Sequence, residues 1–405
     1  MKHQLDPIAD KVSFDFAEKV APSIARGMAS TYTSKKRAYE ALNTTFRKTG
    51  VLDMSRIANY KTSDDIFITK TWKPEGKSHG LYFVMDWSGS MKDVVQQMAI
   101  QYYITALFCK YSNIPFRFDI FTSGNESTLV RDTKELKYLK QQTIAHDGMS
   151  IEELKNVFFL MICFSNINSR WKSNNYTSEL ITMLNRVFWM GNTPLYKSMY
   201  ATYIAATNFR AQQNLQNVSI VYITDGEAHA AMDNAEGNTG THIVCPFTQR
   251  RYVIRRTEKD FRGYAKVTYR AMLGMNEMIR DAGFKIFNIF IGRERPASNI
   301  IRNAHRTPTL FNEYTKDVAK EVKEYFECVQ LGGGLSAVKD GGNFNSFIIA
   351  PHSVFGSFVR NGSSGSDNAT SAEFVKGLKS SKKLSVICSY VVSELCKDFA
   401  PVKKV

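Results

Sequence analysis

The chain has 405 residues, 43% of them hydrophobic, and its formal net charge at pH 7 is +15. This apolar content suffices for a substantial core, and the basic excess favours an acidic partner such as nucleic acid, an anionic membrane surface or an acidic protein. Lysines that merely solvate the surface would give the same excess. The longest strongly apolar run, Val157 to Phe164, is too short to cross a bilayer, which excludes a membrane span.

Cysteine usage points to a compartment. None of the six cysteines forms a Cys-x-x-Cys pair, and most lie in apolar runs such as Ile162-Cys163-Phe164. Such cysteines are typical of buried free thiols in a reducing environment. Met1 to Val12 carries no apolar signal core. We therefore expect a cytoplasmic protein.

The first part of the chain, residues 1–79, is predicted to be a helical segment followed by a lead-in strand. Apolar spacing from Phe14 to about Arg47 predicts two helices, the second capped by Ser34 and stopped by Gly50. The β-branched and aromatic run at 65–70 predicts a strand.

The next stretch combines a buried strand with oxygen donors. Leu81 to Met85 is a continuous apolar run, typical of a strand buried on both faces, and Asp86-x-Ser88-Gly89-Ser90 follows it. A carboxylate and two hydroxyls at alternate positions can turn toward one point and bind Mg²⁺ or Ca²⁺. A helix N-cap explains the same residues, because Ser and Asp are favoured caps.

The chain then alternates between helices and strands. A helix from Met91 to Cys109 and a strand from Pro115 to Phe121 predict a parallel crossover. The run from Ile151 to Phe164 fits a helix or a buried strand, and Tyr176 to Phe188 predicts a helix.

Two later stretches resemble the first one. Gly191-Asn192-Thr193-Pro194-Leu195 places a threonine at the start of a predicted helix, and Ser219 to Thr224 is a second apolar strand, ending in Asp225-Gly226. Taken in order, Asp-x-Ser-Gly-Ser, Gly-x-Thr-Pro-Leu and Ile-Thr-Asp-Gly resemble the von Willebrand factor A (VWA) domain. This resemblance covers about 80–330.

The resemblance implies a fold and a metal site. The fold is α/β: a doubly wound, mostly parallel, Rossmann-like sheet with helices on both faces, here with an N-terminal helical segment and a C-terminal extension. The metal-ion-dependent adhesion site (MIDAS) of the family would hold Mg²⁺, or Mn²⁺ or Ca²⁺. Its ligands would be Asp86, Ser88, Ser90, Thr193 and Asp225.

Within that family the chain most resembles the intracellular branch of the cobaltochelatase T subunit, the magnesium-chelatase D subunit and MoxR-associated proteins. The hints are the N-terminal helical piece and the Leu52-to-Ile57 segment before the metal loop. This branch implies an AAA+ ATPase as the partner. The chain lacks the long acidic or Pro-rich segment that such subunits often carry, and no residue marks a tetrapyrrole site.

An insertion at about 227–263 holds a cluster of arginines, which bind carboxylates and phosphates bidentately. Four of them lie within one short segment: Arg250, Arg251, Arg255 and Arg256. We expect this segment to place positive charge near the metal face and to contact the partner, and solvated charges on a hairpin are the alternative explanation.

The remainder is predicted as a helix (264–282), a strand (284–291), a short strand (309–311) and a helix (315–329). A Gly/Ser-rich loop or linker (331–367) and a C-terminal tail, with a helix near 372–378 and an apolar run at 384–395, complete residues 331–405.

The expected function is a metal-dependent protein–protein interaction, in which a partner's Asp or Glu completes the coordination of the metal. No Walker motif, Gly-x-Ser-x-Gly or His-Glu-x-x-His occurs, so we expect at most a non-catalytic subunit of a cobaltochelatase-like complex. Two alternatives stay open: a structural component of a larger assembly such as a virion, and a VWA protein that binds nucleic acid through its basic surface.

Overall fold

The computed structural model describes residues 11–42, 45–62, 66–72, 78–124, 139–169, 178–224, 242–253, 274–292, 328–330, 336–338, 346–351 and 386–397. Within these ranges no helix is both long and apolar enough to cross a membrane.

Twelve strands are described, numbered in chain order. They are β1 (Thr45–Leu52), β2 (Phe67–Trp72), β3 (His79–Asp86), β4 (Phe116–Ser123), β5 (Leu139–His146), β6 (Asn217–Thr224), β7 (His242–Val244), β8 (Arg251–Val253), β9 (Lys285–Gly292), β10 (Cys328–Gln330), β11 (Ser336–Val338) and β12 (Ser346–Pro351).

The described helices are numbered in the same way. They are α1 (Lys11–Asp15), α2 (Ala21–Leu42), α3 (Val95–Tyr111), α4 (Ile151–Ser169), α5 (Ser178–Phe188), α6 (Leu195–Gln212), α7 (residues 274–281) and α8 (Val386–Lys397).

The central sheet has eight strands in the order β10-β11-β12-β9-β6-β3-β4-β5. Strands β12, β9, β6, β3 and β4 run parallel, whereas β5, β11 and β10 pair antiparallel to their neighbours. From β3 the chain winds outward through β4 to β5, then returns to β6 and winds the other way through β9. The direction of winding therefore reverses between β3 and β6, and open α/β sheets bind ligands at the carboxyl ends of the strands beside such a reversal.

Helices cover both faces of the sheet, which confirms the predicted doubly wound α/β fold. Alternate residues of β3 point to opposite faces. Leu81 and Phe83 belong to an apolar core shared with α2, α3, α4 and α8, whereas Tyr82 and Val84 belong to a second core shared with α6 and α7. Every residue of β3 is buried, as its continuous apolar run predicts.

The N-terminal segment differs from the prediction of two helices. Helix α1, a π-helical turn (Phe16–Val20) and α2 form one continuous helical segment. Pro22 therefore lies inside this segment, where it lacks an N–H, and the N–H of Ala21 just before it bonds the carbonyl of Phe16, five residues back rather than four. Ser34 lies inside α2 and caps nothing, and Gly50 lies in β1, which pairs antiparallel with β2.

The ambiguous run from Ile151 is a helix, α4, and its start explains why. The backbone N–H of Glu153 donates to the hydroxyl of Ser150 (3.2 Å), and the backbone N–H of Ser150 donates to the carboxylate of Glu153 (2.7 Å). This reciprocal capping box satisfies two otherwise unpaired donors at the helix end.

The predicted linker at 331–367 is wrong at two places, because 336–338 form β11 and 346–351 form β12, which extends the sheet beside β9. Strand β10 replaces the predicted end of the 315–329 helix. The apolar run of the tail forms α8, and its Ile387, Cys388 and Leu395 pack into the α2–α3 core. The predicted elements at 309–311 and 372–378 lie outside the described residues, and the domain limits themselves stay a prediction.

Candidate metal centre

Asp86 is the last residue of β3, at the carboxyl edge of the sheet beside the reversal. Its side chain is only 1% exposed. One carboxylate oxygen, Oδ1, accepts the backbone N–H of Ser88 (3.0 Å), and the other, Oδ2, accepts the hydroxyl of Thr224 (2.8 Å). Because Thr224 ends the neighbouring strand β6, the carboxylate is held from its own loop and from across the reversal.

The two serines after Asp86 bring their hydroxyls together. Ser88 is extended and buried, and Gly89–Val94 forms a 3₁₀ helix that turns Ser90 back toward it. The two Oγ atoms lie 2.9 Å apart and share a hydrogen bond. The buried Trp87 fixes this loop, because its backbone N–H donates to the carbonyl of Phe121 (2.8 Å) and its Nε1–H donates to the carbonyl of Phe188 (2.9 Å).

The second predicted loop lies against the first one. The N–H of Gly89 donates to the carbonyl of Gly191 (2.9 Å), and Ser88 and Gly191 form an isolated parallel β-bridge. Two residues later comes Thr193, which is buried and whose carbonyl accepts the N–H of Leu195 (2.9 Å) at the start of α6. The chain therefore places the threonine loop next to the Asp-x-Ser-x-Ser loop.

Two hydroxyl residues outside the predicted ligand set fix the threonine loop to β4. The N–H of Gly191 donates to Oγ1 of Thr122 and that of Asn192 donates to Oγ of Ser123, both at 2.7 Å, while the N–H of Ser123 donates to the carbonyl of Asn192 (3.0 Å). Their position in the sequence could have indicated this role. Thr122 and Ser123 end β4 and Thr224 ends β6, so all three lie at the carboxyl edge of the sheet.

Asp225, the fifth predicted ligand, directly follows Thr224 but lies outside the described residues. The structure thus brings Asp86, Ser88 and Ser90 together and places the loop of Thr193 beside them.

The residues present fit a hard divalent cation. Carboxylate and hydroxyl oxygens are suitable donors, and neighbouring oxygens in an octahedral Mg²⁺ shell, at about 2.0–2.1 Å from the metal, lie about 2.9 Å apart. The Ser88 and Ser90 hydroxyls have this separation, 2.9 Å. A hydrogen bond gives the same distance, so the spacing fits the ion without requiring it.

A buried polar network lies on the same side of the sheet as Asp86. Asp119 accepts hydrogen bonds from Tyr82, from Gln141 (3.2 Å) and from two other side chains, and Gln141 also bonds Ser198 (3.0 Å) and Thr202 (2.9 Å) of α6. Burial, reinforced by the Asp119 charge, raises the pKa of Tyr82 well above its usual value. The network fastens α6, which begins just after Thr193, to β4 and β5.

The described part of the arginine cluster does not lie beside this site. Arg250 pairs with Asp281 (2.7 Å), and its guanidinium lies over the Tyr252 ring (5.0 Å). Asp281 lies just before β9, which starts at Lys285. The residue of β9 that pairs with Thr224, at the carboxyl end of β6, comes five residues after Lys285. At about 3.3 Å per residue this is about 17 Å along the strands.

Arg250 therefore lies toward the amino edge of the sheet, and the expectation that this segment brings positive charge to the metal face is wrong for Arg250. Arg251 begins β8 and is exposed, while Arg255 and Arg256 lie outside the described residues.

The sequence matches no protein-family model, and no curated protein matches it. Similar solved structures include the pilus adhesin SpaC of Lactobacillus rhamnosus GG in its open conformation, with 10% identity and a TM-score of 0.38. That match covers 80% of this chain and 31% of the SpaC chain, so this chain spans about a third of that structure.

The vWF domain of the type V pilus tip protein Mfa5 from Porphyromonas gingivalis is 10% identical, with a TM-score of 0.29 over 63% of this chain and 98% of its own. The human COPII-coat protein Sec24c is 9% identical, with a TM-score of 0.27 over 61% of this chain and 32% of its own. At TM-scores this low the likenesses carry no argument about this chain, and its fold stands on its own strand order.

Proposed function

We propose that this protein is a metal-dependent protein-binding module, in which a divalent cation bound at the carboxyl edge of the sheet accepts an Asp or Glu from a partner protein. One observation carries the proposal. A fully buried carboxylate, Asp86, ends the strand beside the reversal, and the hydroxyls of Ser88 and Ser90 lie close together after it. The loop of Thr193 is hydrogen-bonded to the loop that carries these two serines.

Each residue has a role in this proposal. Asp86 is the anionic anchor, held in place by Ser88 and Thr224. Ser88, Ser90 and Thr193 are neutral donors that would hold Mg²⁺, Mn²⁺ or Ca²⁺ directly or through water, and Asp225 would act through water. When bound, the cation supplies an electrophilic position for a carboxylate, because a single direct carboxylate leaves much of its charge uncompensated.

The identity of the partner rests on the motifs of the sequence alone. The chelatase and MoxR resemblance favours an AAA+ ATPase, and with it a cytoplasmic location and a non-catalytic role in a cobaltochelatase-like complex. A structural component of a larger assembly such as a virion is the alternative, and it requires no AAA+ partner. All of these stay predictions.

Nucleic acid is a second candidate ligand, favoured by a different surface. An open groove of about 410 Å³ runs along α2 to the end of α3. Its lining is mostly basic and hydroxylic: Arg26, Ala29, Ser30, Thr33, Ser34, Arg37 and Tyr111. Arginines and hydroxyls are common donors to phosphate oxygens.

The two candidates are separated by binding measurements with and without EDTA. Purified AAA+ ATPases of the chelatase and MoxR classes, and a labelled single-stranded RNA, would be titrated against the wild type, Asp86→Ala and the charge-matched control Asp147→Asn. Asp147 lies at the amino edge, and both of its described hydrogen bonds use backbone atoms, so the control leaves them intact.

The metal-dependent module predicts ATPase binding that EDTA and Asp86→Ala abolish and Asp147→Asn retains. Binding that survives EDTA and Asp86→Ala, yet collapses as the salt concentration rises, would replace it with nucleic-acid binding, because phosphate contacts are strongly salt-dependent. In that case Arg26→Ser and Arg37→Ser should weaken RNA binding.

A further inference from the structure

A tryptophan next to the candidate metal loop is largely exposed. Trp189 follows the last residue of α5 and precedes the loop of Gly191 and Thr193, and 58% of its surface is accessible. Its neighbour Met190 packs partly into the core. A large aromatic side chain left in water at this point is an apolar contact surface beside the proposed cation.

The backbone before Trp189 is held firmly by side chains. The last carbonyls of α5 have no partner within the helix, and three of them accept donors from elsewhere. Lys140 Nζ donates to the carbonyl of Arg186 (2.6 Å), the side-chain amide of Gln142 donates to that of Val187, and the indole of Trp87 donates to that of Phe188 (2.9 Å).

The backbone after Trp189 is held as well. Gly191 is bonded through its N–H to Thr122 (2.7 Å) and through its carbonyl to Gly89 (2.9 Å). Trp189 therefore lies between two anchored points, and its position at the surface is set by the fold. A tryptophan has only two side-chain torsions, so on an anchored backbone it loses little conformational entropy when a partner packs on it, which is a property of binding hot spots.

Two further apolar side chains are exposed on α5, the helix that ends just before Trp189. Met183 and Val187, four residues apart on the outer side of the helix, are 37% and 36% exposed, whereas Leu184 on the inner side is buried in the core. The exposed Arg186 adds positive charge in the last turn of the helix, next to Trp189, whereas the exposed Glu179 carries the opposite charge in the first turn. We call Met183, Val187 and Trp189 the Trp189 surface.

The distance from the Trp189 surface to the metal loop is short. Two residues span at most about 7 Å from Trp189 to Gly191, and bridged strands are about 5 Å apart, which places Ser88 within about 12 Å of Trp189. An extended peptide covers about 12 Å in about four residues.

We propose that the Trp189 surface is the second half of the partner-binding face. The partner would offer an acidic segment in which the metal-binding Asp or Glu lies within about four residues of a large apolar side chain, and that side chain packs on Trp189. The charge of the cation and of Arg186 suits such an acidic segment. This inference rests on the proposed function and specifies the ligand of the same site.

The test is a selection from a display library of dodecapeptides that carry one fixed central Glu and random residues elsewhere, performed in Mg²⁺ and eluted with EDTA. The proteins are the wild type, Trp189→Ser, Asp86→Ala and Tyr60→Ser. Tyr60 is a matched control because it is 60% exposed and lies near the β1–β2 hairpin rather than in the central sheet. Thermal unfolding would confirm that each variant folds.

The wild type and Tyr60→Ser should enrich peptides with a large apolar residue within about four positions of the Glu. Trp189→Ser should still bind Mg²⁺-dependent acidic peptides without that enrichment, and a resynthesised wild-type peptide should bind it roughly tenfold more weakly.

Equal enrichment by the wild type and Trp189→Ser, or Mg²⁺-dependent peptides with no apolar preference, would overturn this inference and leave the metal-dependent module intact. If the wild type selects no Mg²⁺-dependent peptide, or if Asp86→Ala selects the same peptides as the wild type, the result would overturn both this inference and the metal-dependent module.

Discussion

Replacing Gly191 by alanine should damage the metal centre through a single methyl group. A Cβ at this position would overlap the hydroxyl of Ser123 and come within 3.0 Å of the Ser123 carbonyl and 3.1 Å of Thr122 Oγ1. Two of these atoms belong to the hydroxyls that hold the loop, so the new methyl competes with the interactions that position Thr193.

The expected cost follows from what the loop must do. If the loop stays in place, overpacking costs about 1–3 kcal/mol. If it moves, the hydrogen bonds of Gly191 to Thr122 and to Gly89 are lost, at about 0.5–1.5 kcal/mol each. Either route lowers the free energy of unfolding by about 1–3 kcal/mol, and movement of the loop also displaces Thr193, which weakens metal binding.

Gly27→Ala is the matched control, with the opposite sign. Gly27 lies in the interior of α2, and a Cβ there would meet nothing within 4 Å. Alanine is favoured over glycine inside a helix, so this variant should gain about 0.5–1 kcal/mol.

Thermal and denaturant unfolding, with Mg²⁺ titration by calorimetry, measure both effects. We expect Gly191→Ala to be less stable and to bind Mg²⁺ more weakly, and Gly27→Ala to be more stable with unchanged Mg²⁺ affinity. A Gly191→Ala protein with wild-type stability and wild-type affinity would refute the argument that this close approach positions the threonine loop.

Three further results are expected. Thr224→Val removes the hydroxyl that donates to Asp86 (2.8 Å) and should cost about 1–3 kcal/mol, measured by denaturant unfolding; wild-type stability would contradict it. Burial raises the pKa of Cys163 and of Cys388 to about 12, so at about pH 8 their thiolate fraction is on the order of a thousandfold below that of a free cysteine. Site-resolved iodoacetamide labelling should find both protected until the protein unfolds, and rapid labelling of the folded protein would contradict their burial. Backbone and side-chain hydrogen bonds from the capping box lower the pKa of Glu153, so its charge stabilises the folded state above about pH 4.5 and ceases to do so as the pH falls through the lowered pKa; the stability difference between wild type and Glu153→Gln should shrink there, and a difference independent of pH would contradict it.

The central strands were predictable from the sequence because burial on both faces leaves a continuous apolar run. This was so for Leu81–Met85 in β3 and for the apolar run in β6, and the burial of both strands confirms it. The hydroxyls of the first metal loop were predictable for the same reason, since a strand that ends in Asp-x-Ser-Gly-Ser leaves polar groups at one edge.

The edges of the sheet were not predictable in this way. Strand β5 reads Leu-Lys-Gln-Gln-Thr-Ile-Ala-His, and one of its three buried positions is occupied by Gln141, whose amide donates to the buried Asp119. A polar residue is stable there only because of partners on β4 and α6, which sequence spacing does not show. Strand β12 is a short apolar run within a Gly-rich stretch, and its pairing with the distant β9 decides its state.

The supporting residues of the site were missed because their roles are set in three dimensions. They lie far along the sequence from the groups that they hold. Thr122 and Ser123 are 69 residues from their partners in the threonine loop, and Thr224 is 138 residues from Asp86. The sequence does not reveal the single helical segment at the N-terminus, because serine is a favoured helix cap and only the structure shows that Ser34 lies inside α2.

Titration of Mn²⁺ followed by electron paramagnetic resonance tests the central claim most directly, because the signal of free Mn²⁺ falls as the ion binds. The account predicts one saturable site in the wild type that Mg²⁺ displaces. The site should persist in Asp147→Asn and weaken in Asp86→Ala by at least the roughly 10–100-fold that is typical of losing an outer partner of a ligand. Equal binding of Mn²⁺ by the wild type and Asp86→Ala would contradict a metal centre at this edge of the sheet.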